Sequence, residues 1–295
     1  MPQTDELLSP DFIRRLERLE LVSRRLLAGR LKGERRSKRR GTSHEFADHR
    51  PYVMGDDLRF IDWNILVRLD RLFIKLFEEE EDLHVFILID ASGSMDFGEP
   101  SKLQFASKVA AALAFIGLTH HDRLSVIPFG DDLGPPMPAA RGRQSFLRVR
   151  EFLSGIEAKG GGDLTASMRT FMSRHQRPGL VVLISDLLDK EGYDQALRYL
   201  LARQMDIQVI HVLSVEEIDP PVTGDLRLVD CEDGDMAEIT VTAPLLNRYR
   251  AEVGAFREGA KEFCGQRGMG YLAATNQTDF EGMVLSYFRR TGLIK

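Results

Sequence analysis

From Leu83 onward the chain reads as apolar runs separated by polar, glycine-rich joints. LHVFILID at 83–90 is a continuous apolar stretch ending in an acid, the pattern of a strand buried on both faces of a parallel sheet. Helix-like and strand-like segments then alternate. The pattern predicts helices over Lys102–Leu118, Ser145–Leu153, Leu164–Arg174 and Tyr193–Arg203, a long helix from about Ala243 to Arg267, and a closing helix over Asp279–Arg289. Between them it predicts strands over Arg123–Phe129, Leu180–Ser185, Ile207–Leu213 and Tyr271–Ala274. This order implies an α/β fold, a doubly wound, mostly parallel sheet with helices on both faces. One segment breaks the alternation. LRLVDCEDGDMAEITVT, at 226–242, has two short alternating runs around Asp233-Gly234, which predicts a β-hairpin inserted at about 222–243.

Upstream of Leu83 the pattern is different. The first 27 residues carry Leu7, Ile13, Leu16, Leu19 and Leu26 near helical spacing, with Ser9-Pro10-Asp11 as a start or restart. The stretch from 33 to 64 has few apolar residues and much Gly, Asp and Arg, so loop and short strand pinned by ion pairs are expected. The expected pairs are Asp57 with Arg59 and Asp62 with Arg68, and Trp63 is the expected apolar anchor of the turn. RLFIKLF at 71–77 alternates like an edge strand. The division expected is therefore an N-terminal extension, 1–82, followed by the sheet domain, 83–295.

Composition adds limits. With 295 residues, 43% hydrophobic and 29% charged, the chain is an ordinary globular protein, not a disordered or disulfide-scaffold one. Its longest apolar run, Val109–Leu118, is ten residues, too short to span a bilayer. The start MPQTDELLSPDF lacks the pattern of a secretory signal. Cys231 and Cys264 fit no zinc or redox motif, so reduced thiols and a cytoplasmic location are expected. The net charge of −5 hides an uneven spread. Nine basic residues and one acid lie between Arg24 and Arg40, whereas Glu78–Asp82 is five acids in a row. No aromatic residue interleaves with the basic run, so a solvated face or a patch for an acidic protein is expected, and no nucleic acid. His44 and His49 stand one residue too far apart for the HExxH zinc box. Neither a P-loop nor a GxSxG elbow occurs.

The chemistry gathers where buried strands end. Asp90-Ala91-Ser92-Gly93-Ser94 places a carboxylate and two hydroxyls at alternating positions, with Gly93 letting the loop turn sharply. Asp186 follows a second buried strand, and the Gly-rich loop Gly160-Gly161-Gly162-Asp163-Leu164-Thr165 opens a helix. Oxygen-only ligands at the carboxyl ends of parallel strands suit a hard cation such as Mg²⁺.

These three segments resemble the metal-ion-dependent adhesion site of von Willebrand factor type A domains. The resemblance implies Ser92 and Ser94 as direct cation ligands, Asp90 and Asp186 acting mostly through water, and Thr165 completing the set. The remaining position would go to an acidic residue of a partner protein. GGGDLTASM admits two registers, with either Thr165 or Gly162 at the threonine position, and in the second water or Asp163 must fill the gap. Residues 33–95 also look like the signature of a bacterial group, domain-of-unknown-function family fifty-eight. The strings that carry this likeness are Gly41-x-Ser43-x-Glu45-Phe46-x-Asp48 and Gly55-Asp56-Asp57-x-Arg59-x-Ile61-Asp62-Trp63. Members often accompany a MoxR-type AAA+ ATPase with a proposed chaperone or metal-insertion role. The expected function is thus a divalent-cation-dependent protein-interaction module, with Mg²⁺, Mn²⁺ or Ca²⁺ bound and an AAA+ ATPase as partner. The alternative is a Mg²⁺-dependent phosphatase-like hydrolase with Asp90 as nucleophile. Phosphatases of the haloacid dehalogenase type need a second Asp two residues on as general acid, and here that residue is Ser92.

Overall fold

A computed structural model describes residues 7–19, 21, 46–77, 83–175, 177–203, 205–231 and 234–287. Its contacts divide the chain into two compact units, one formed by Met1–Ala28 with Leu83–Lys295, the other by Gly29–Asp82.

In the larger unit five strands form one parallel sheet: β3 (His84–Asp90), β4 (Arg123–Phe129), β5 (Leu180–Ser185), β6 (Asp206–Leu213) and β9 (Gly270–Thr275), in the order β4-β3-β5-β6-β9. The pairings are all parallel. The doubly wound α/β fold expected from the alternation is therefore present. Residue alternation sends β3 into two separate cores. Val85, Ile87 and Ile89 pack with helix α3 (Lys102–Thr119) and helix α4 (Phe146–Ser154) on one face. Phe86 and Leu88 pack with α5 (Leu164–Arg174), α6 (Asp194–Leu201) and the end of α7 (Ala243–Gln266) on the other. From Val109 onward helix α3 is apolar on every side, and it is buried accordingly at each position to Leu118. Its start is fixed by a capping box: the Ser101 hydroxyl accepts from the Gln104 N–H, and the Gln104 side chain accepts from the Ser101 N–H.

The chain leaves β3 for β4 on one side and returns to β5 on the other. The order of strands thus reverses at the β3/β5 pair, where open α/β sheets form a crevice beyond the carboxyl ends of their strands. The hairpin insertion is present as β7 (Gly224–Val229) paired antiparallel with β8 (Met236–Val241).

One expectation here is corrected. The N-terminal helix, α1 (Pro10–Leu16), ends sooner than 27, and its buried Phe12 and Leu16 join the core beside α3, so this helix belongs to the sheet unit rather than to the extension. Ser9 caps it, accepting from the Phe12 N–H. The closing helix starts as expected, capped by Asp279, and runs as an α-turn over Phe280–Gly282 and a π-helical turn over Met283–Tyr287, beyond which the residues lie outside those described. Neither Cys231 nor Cys264 is in a disulfide, as expected; Cys264 is buried, which pushes its thiol up to about 12, while Cys231 is exposed.

In the smaller unit β1 (Phe46–Pro51) pairs antiparallel with β2 (Phe73–Phe77), which makes the alternating RLFIKLF stretch half of a two-stranded sheet. Between them lies helix α2 (Trp63–Leu69), which begins at the end of the stretch expected to be loop and short strand and which the sequence pattern did not announce. Asp62 is its cap, accepting from the Asn64 and Ile65 N–H groups, and Asp70 ends it in a left-handed conformation. Asp62 pairs with His49 (2.9 Å) and Lys75 (3.3 Å) rather than Arg68, and these bonds hold its carboxyl down at about 2. The expected Asp57–Arg59 pair forms at 2.8 Å, and Arg50 grips Asp56 with both guanidinium nitrogens at 2.6 Å. Trp63 is no anchor, being 62% exposed. The basic run Arg24–Arg40, His44, Glu45 and the acids Glu78–Asp82 lie outside the described residues.

Candidate metal centre

Asp90 is the last residue of β3, and Asp186 follows β5 directly, so both carboxylates stand at the point of strand reversal. The Asp90 Oδ1 accepts from the Ser92 N–H (3.0 Å) and the Ser92 hydroxyl (2.7 Å), and its Oδ2 accepts from the Ser185 hydroxyl (2.6 Å). Ser92 and Ser94 hydroxyls are 3.1 Å apart, and the Ser94 hydroxyl donates to Asp186 Oδ2 at 2.8 Å. Four of the five residues singled out in the sequence thus form one connected chain of oxygens. Burial, and then the neighbouring charge of Asp186, push the Asp90 carboxyl well above the usual carboxylate range.

The Gly-rich loop closes over this chain. The Gly93 N–H donates to the Gly160 carbonyl at 2.9 Å, and a Cβ on Gly93 would stand 3.0 Å from that oxygen, so any larger residue would push the two loops apart by a few tenths of an ångström. Asp163 caps α5 by accepting from the Ala166 N–H at 2.6 Å, while the Leu164 N–H goes to Asp189 Oδ2 at 2.7 Å. The resulting narrow cleft is lined by Asp90, Ser92, Gly162, Leu164, Ser185 and Asp186, among others. Thr165 sits on the first turn of α5, next to Leu164. It is not hydrogen-bonded to the other four: its Oγ1 is buried with no partner among the described residues.

Sequence reasoning missed three contributors. Ser185 holds Asp90 from below and accepts from the Leu187 N–H at 2.9 Å. Lys102, the first residue of α3, is fully buried and donates to Asp186 Oδ2 at 2.7 Å and to Glu217. Burial alone would lower the Lys102 ammonium, but Asp186 and Glu217 outweigh it and raise it. Glu217 was detectable in principle, because Ser214-x-x-Glu217 is a capping-box string. Nothing local marks a lysine at a helix start as turning inward.

Among the described residues no three His, Cys, Asp or Glu side chains converge as a metal site. A cation here would depend on hydroxyls backed by two carboxylates, which is hard-cation chemistry. The set fits such an ion on one observation above all, the buried Thr165 hydroxyl without a partner, since a buried polar atom left unpaired costs stability unless something binds it. As a phosphatase site it is poorly equipped. Ser92, at the general-acid position, is a hydroxyl already donating to Asp90.

The family model "Protein of unknown function DUF58" matches residues 48–259. The chain belongs to this family. The chain is similar to the uncharacterized protein Rv1480 of Mycobacterium tuberculosis (strain ATCC 25618 / H37Rv), 28% identical over 253 residues, covering 84% of this chain and 80% of the relative. The uncharacterized protein MAV169 of Mycobacterium avium is 29% identical over 124 residues, 41% of this chain and 73% of the relative. Solved structures similar to this DUF58 chain include the conserved hypothetical protein BatB from Bacteroides thetaiotaomicron (16% identity, 71% of this chain and 98% of the other, TM-score 0.47). The SpRpn10 VWA domain is a further one (10% identity, 69% and 93%, TM-score 0.38). The fold described here rests on its own strand order, not on these slight likenesses.

Proposed function

We propose that this DUF58 chain is a divalent-cation-dependent protein-interaction module. Ser92, Ser94 and Thr165 would hold the cation through their hydroxyls, with Asp90 and Asp186 supporting them from behind. The register with Thr165 is preferred over Gly162, because Thr165 has the unpaired hydroxyl. Mg²⁺ is the leading candidate, with Mn²⁺ and Ca²⁺ as alternatives. Neutral hydroxyls leave the ion enough positive charge to attract a carboxylate, which is the chemistry a bound cation would supply. The partner is therefore a protein offering an Asp or Glu, and a MoxR-type AAA+ ATPase is the proposed one. An apolar hollow of about 570 Å³ beside Ala91, lined by Pro128, Met137, Phe152 and Ile156, gives side chains next to that acid a place to bury.

The observation that carries this reading is the hydrogen-bonded Asp90–Ser92–Ser94–Asp186 chain at the strand-reversal point, with the unpaired Thr165 hydroxyl one residue beyond Leu164, which lines the same cleft. It is tested by using the chain as bait in a lysate of its source organism, with Mg²⁺ or with EDTA. An AAA+ ATPase recovered with Mg²⁺ and lost with EDTA or in Asp90→Ala is the expected result. Recovery unchanged by EDTA and by Asp90→Ala would contradict it.

A further inference from the structure

The sequence motif contains hydroxyls and carboxylates, but the structure also contains an ammonium. Lys102 has no solvent exposure, and its Nζ bridges Asp186 Oδ2, at 2.7 Å, and Glu217 Oε1. Asp186 is thereby crowded with donors. Its Oδ2 takes both Lys102 and the Ser94 hydroxyl, and its Oδ1 takes the Leu188 N–H at 3.0 Å. Three of the roughly four lone-pair sites of a carboxylate are filled. Glu217 is held just as firmly. Its side chain accepts from the Ser214 N–H (2.7 Å), its N–H goes to the Ser214 hydroxyl (2.9 Å), and its carbonyl accepts from the Tyr249 hydroxyl (2.7 Å). The ammonium therefore sits between two pre-positioned carboxylates, one directly after β5 and the other on the short helix Val215–Ile218 that follows β6.

Asp90 and Asp186 are both buried in one cleft, an arrangement that like charges resist unless a positive charge is near. We propose that Lys102 is the resident counter-ion of this site. It neutralises Asp186 in the absence of a divalent cation and competes with the cation for that carboxylate, and so determines how tightly the cation is held. The competitive half rests on the cation reading above, whereas the counter-ion half stands without any metal. The structure favours this over a purely structural lysine because Lys102 shares the very oxygen, Asp186 Oδ2, that accepts from Ser94. A lysine serving only to anchor α3 would need no such oxygen.

The test uses the full chain stripped with EDTA, in wild type, Lys102→Met, Asp186→Asn, Lys102→Met/Asp186→Asn and Lys102→Met/Glu217→Gln. The last variant removes the second stranded carboxylate, so that the question remains answerable if Lys102→Met alone does not fold. Without metal, Lys102→Met is expected to lower the thermal midpoint by roughly 10 °C, with Asp186→Asn restoring much of that loss. Titration with Mg²⁺ or Mn²⁺ is expected to show binding about tenfold tighter or more in Lys102→Met/Glu217→Gln than in wild type, since the ammonium bonded directly to Asp186 is gone, whereas the negative charge lost with it sits on Glu217, which bonds none of the proposed cation ligands. Equal effects of Asp186→Asn with and without Lys102 would overturn the counter-ion role. Equal cation affinity in wild type and in Lys102→Met/Glu217→Gln would overturn the competition. Should the Lys102–Asp186 coupling be present while no variant binds a cation, the cation reading fails with the competition, and the counter-ion pairing alone survives.

Discussion

Replacing Thr165 with Val separates the two demands on this residue. Val keeps the branched shape and swaps the hydroxyl for a methyl. In the described structure that hydroxyl is buried and unpaired. Leaving a buried polar group unsatisfied costs about 1–3 kcal/mol, so in the absence of metal Thr165→Val should stabilise the chain by about 1 kcal/mol. For a unit of this size that is a rise in thermal midpoint of about 2–4 °C. With a cation present the sign reverses in relative terms. Wild type gains stability from the ion by mass action, whereas the variant has lost a ligand and gains less. Calorimetric melts of both proteins in EDTA and in excess Mg²⁺ read all four states. A fall in midpoint for Thr165→Val in EDTA would mean the hydroxyl is paired in the folded chain. An equal Mg²⁺-induced rise in both proteins would mean that Thr165 is not a ligand. Either result refutes the reasoning.

Other consequences follow from the same contacts. Phe86→Ala empties a site where the ring lies 5.3 Å from that of Phe171, in a fully buried core, and should cost about 3–5 kcal/mol of stability by chemical denaturation. Asp163→Ala removes the cap of α5 and should cost about 1 kcal/mol in the same assay, with no change in the far-UV helical signal beyond that helix. The raised Asp90 carboxyl favours the folded state most when it is protonated. Metal-free stability should therefore be full below its ordinary value near 4 and decline as pH rises toward neutral, a decline that Asp90→Asn should flatten. A melt series from pH 4 to 8 in EDTA checks this, and a stability that rises over that range for wild type but not for the variant contradicts it.

Much of the sheet unit was legible because its residues obey a single rule at every level. LHVFILID and LVVLIS are apolar throughout and are buried on both faces. The chain also places an acid at or just past the end of each, where the crevice lies. The helix starts expected at Lys102 and Leu164 are kept, each fixed by a cap, Ser101 and Asp163. Helix α2 was hidden for the opposite reason. Its Trp63, Val67 and Leu69 face solvent, so no apolar stripe announced it, and Asp62 reads as one more charge in a charged segment until its two cap hydrogen bonds are seen. The cleft was legible for the residues that touch along the chain, since Asp90, Ser92 and Ser94 lie within five positions. Ser185 adjoins Asp186 in the chain and Glu217 closes a capping box with Ser214, but Lys102 reaches the cleft only through the fold, 84 positions from Asp186, and no local pattern carries that information.

The central claim is that hydroxyls at the strand-reversal point bind a divalent cation. Isothermal titration of Mg²⁺ into EDTA-stripped wild type and into Ser94→Ala tests it most directly. The account predicts one site per chain in wild type and its loss in Ser94→Ala, with the variant's melting curve otherwise near that of wild type in EDTA. Absence of binding in wild type, or equal binding in both proteins, would contradict it.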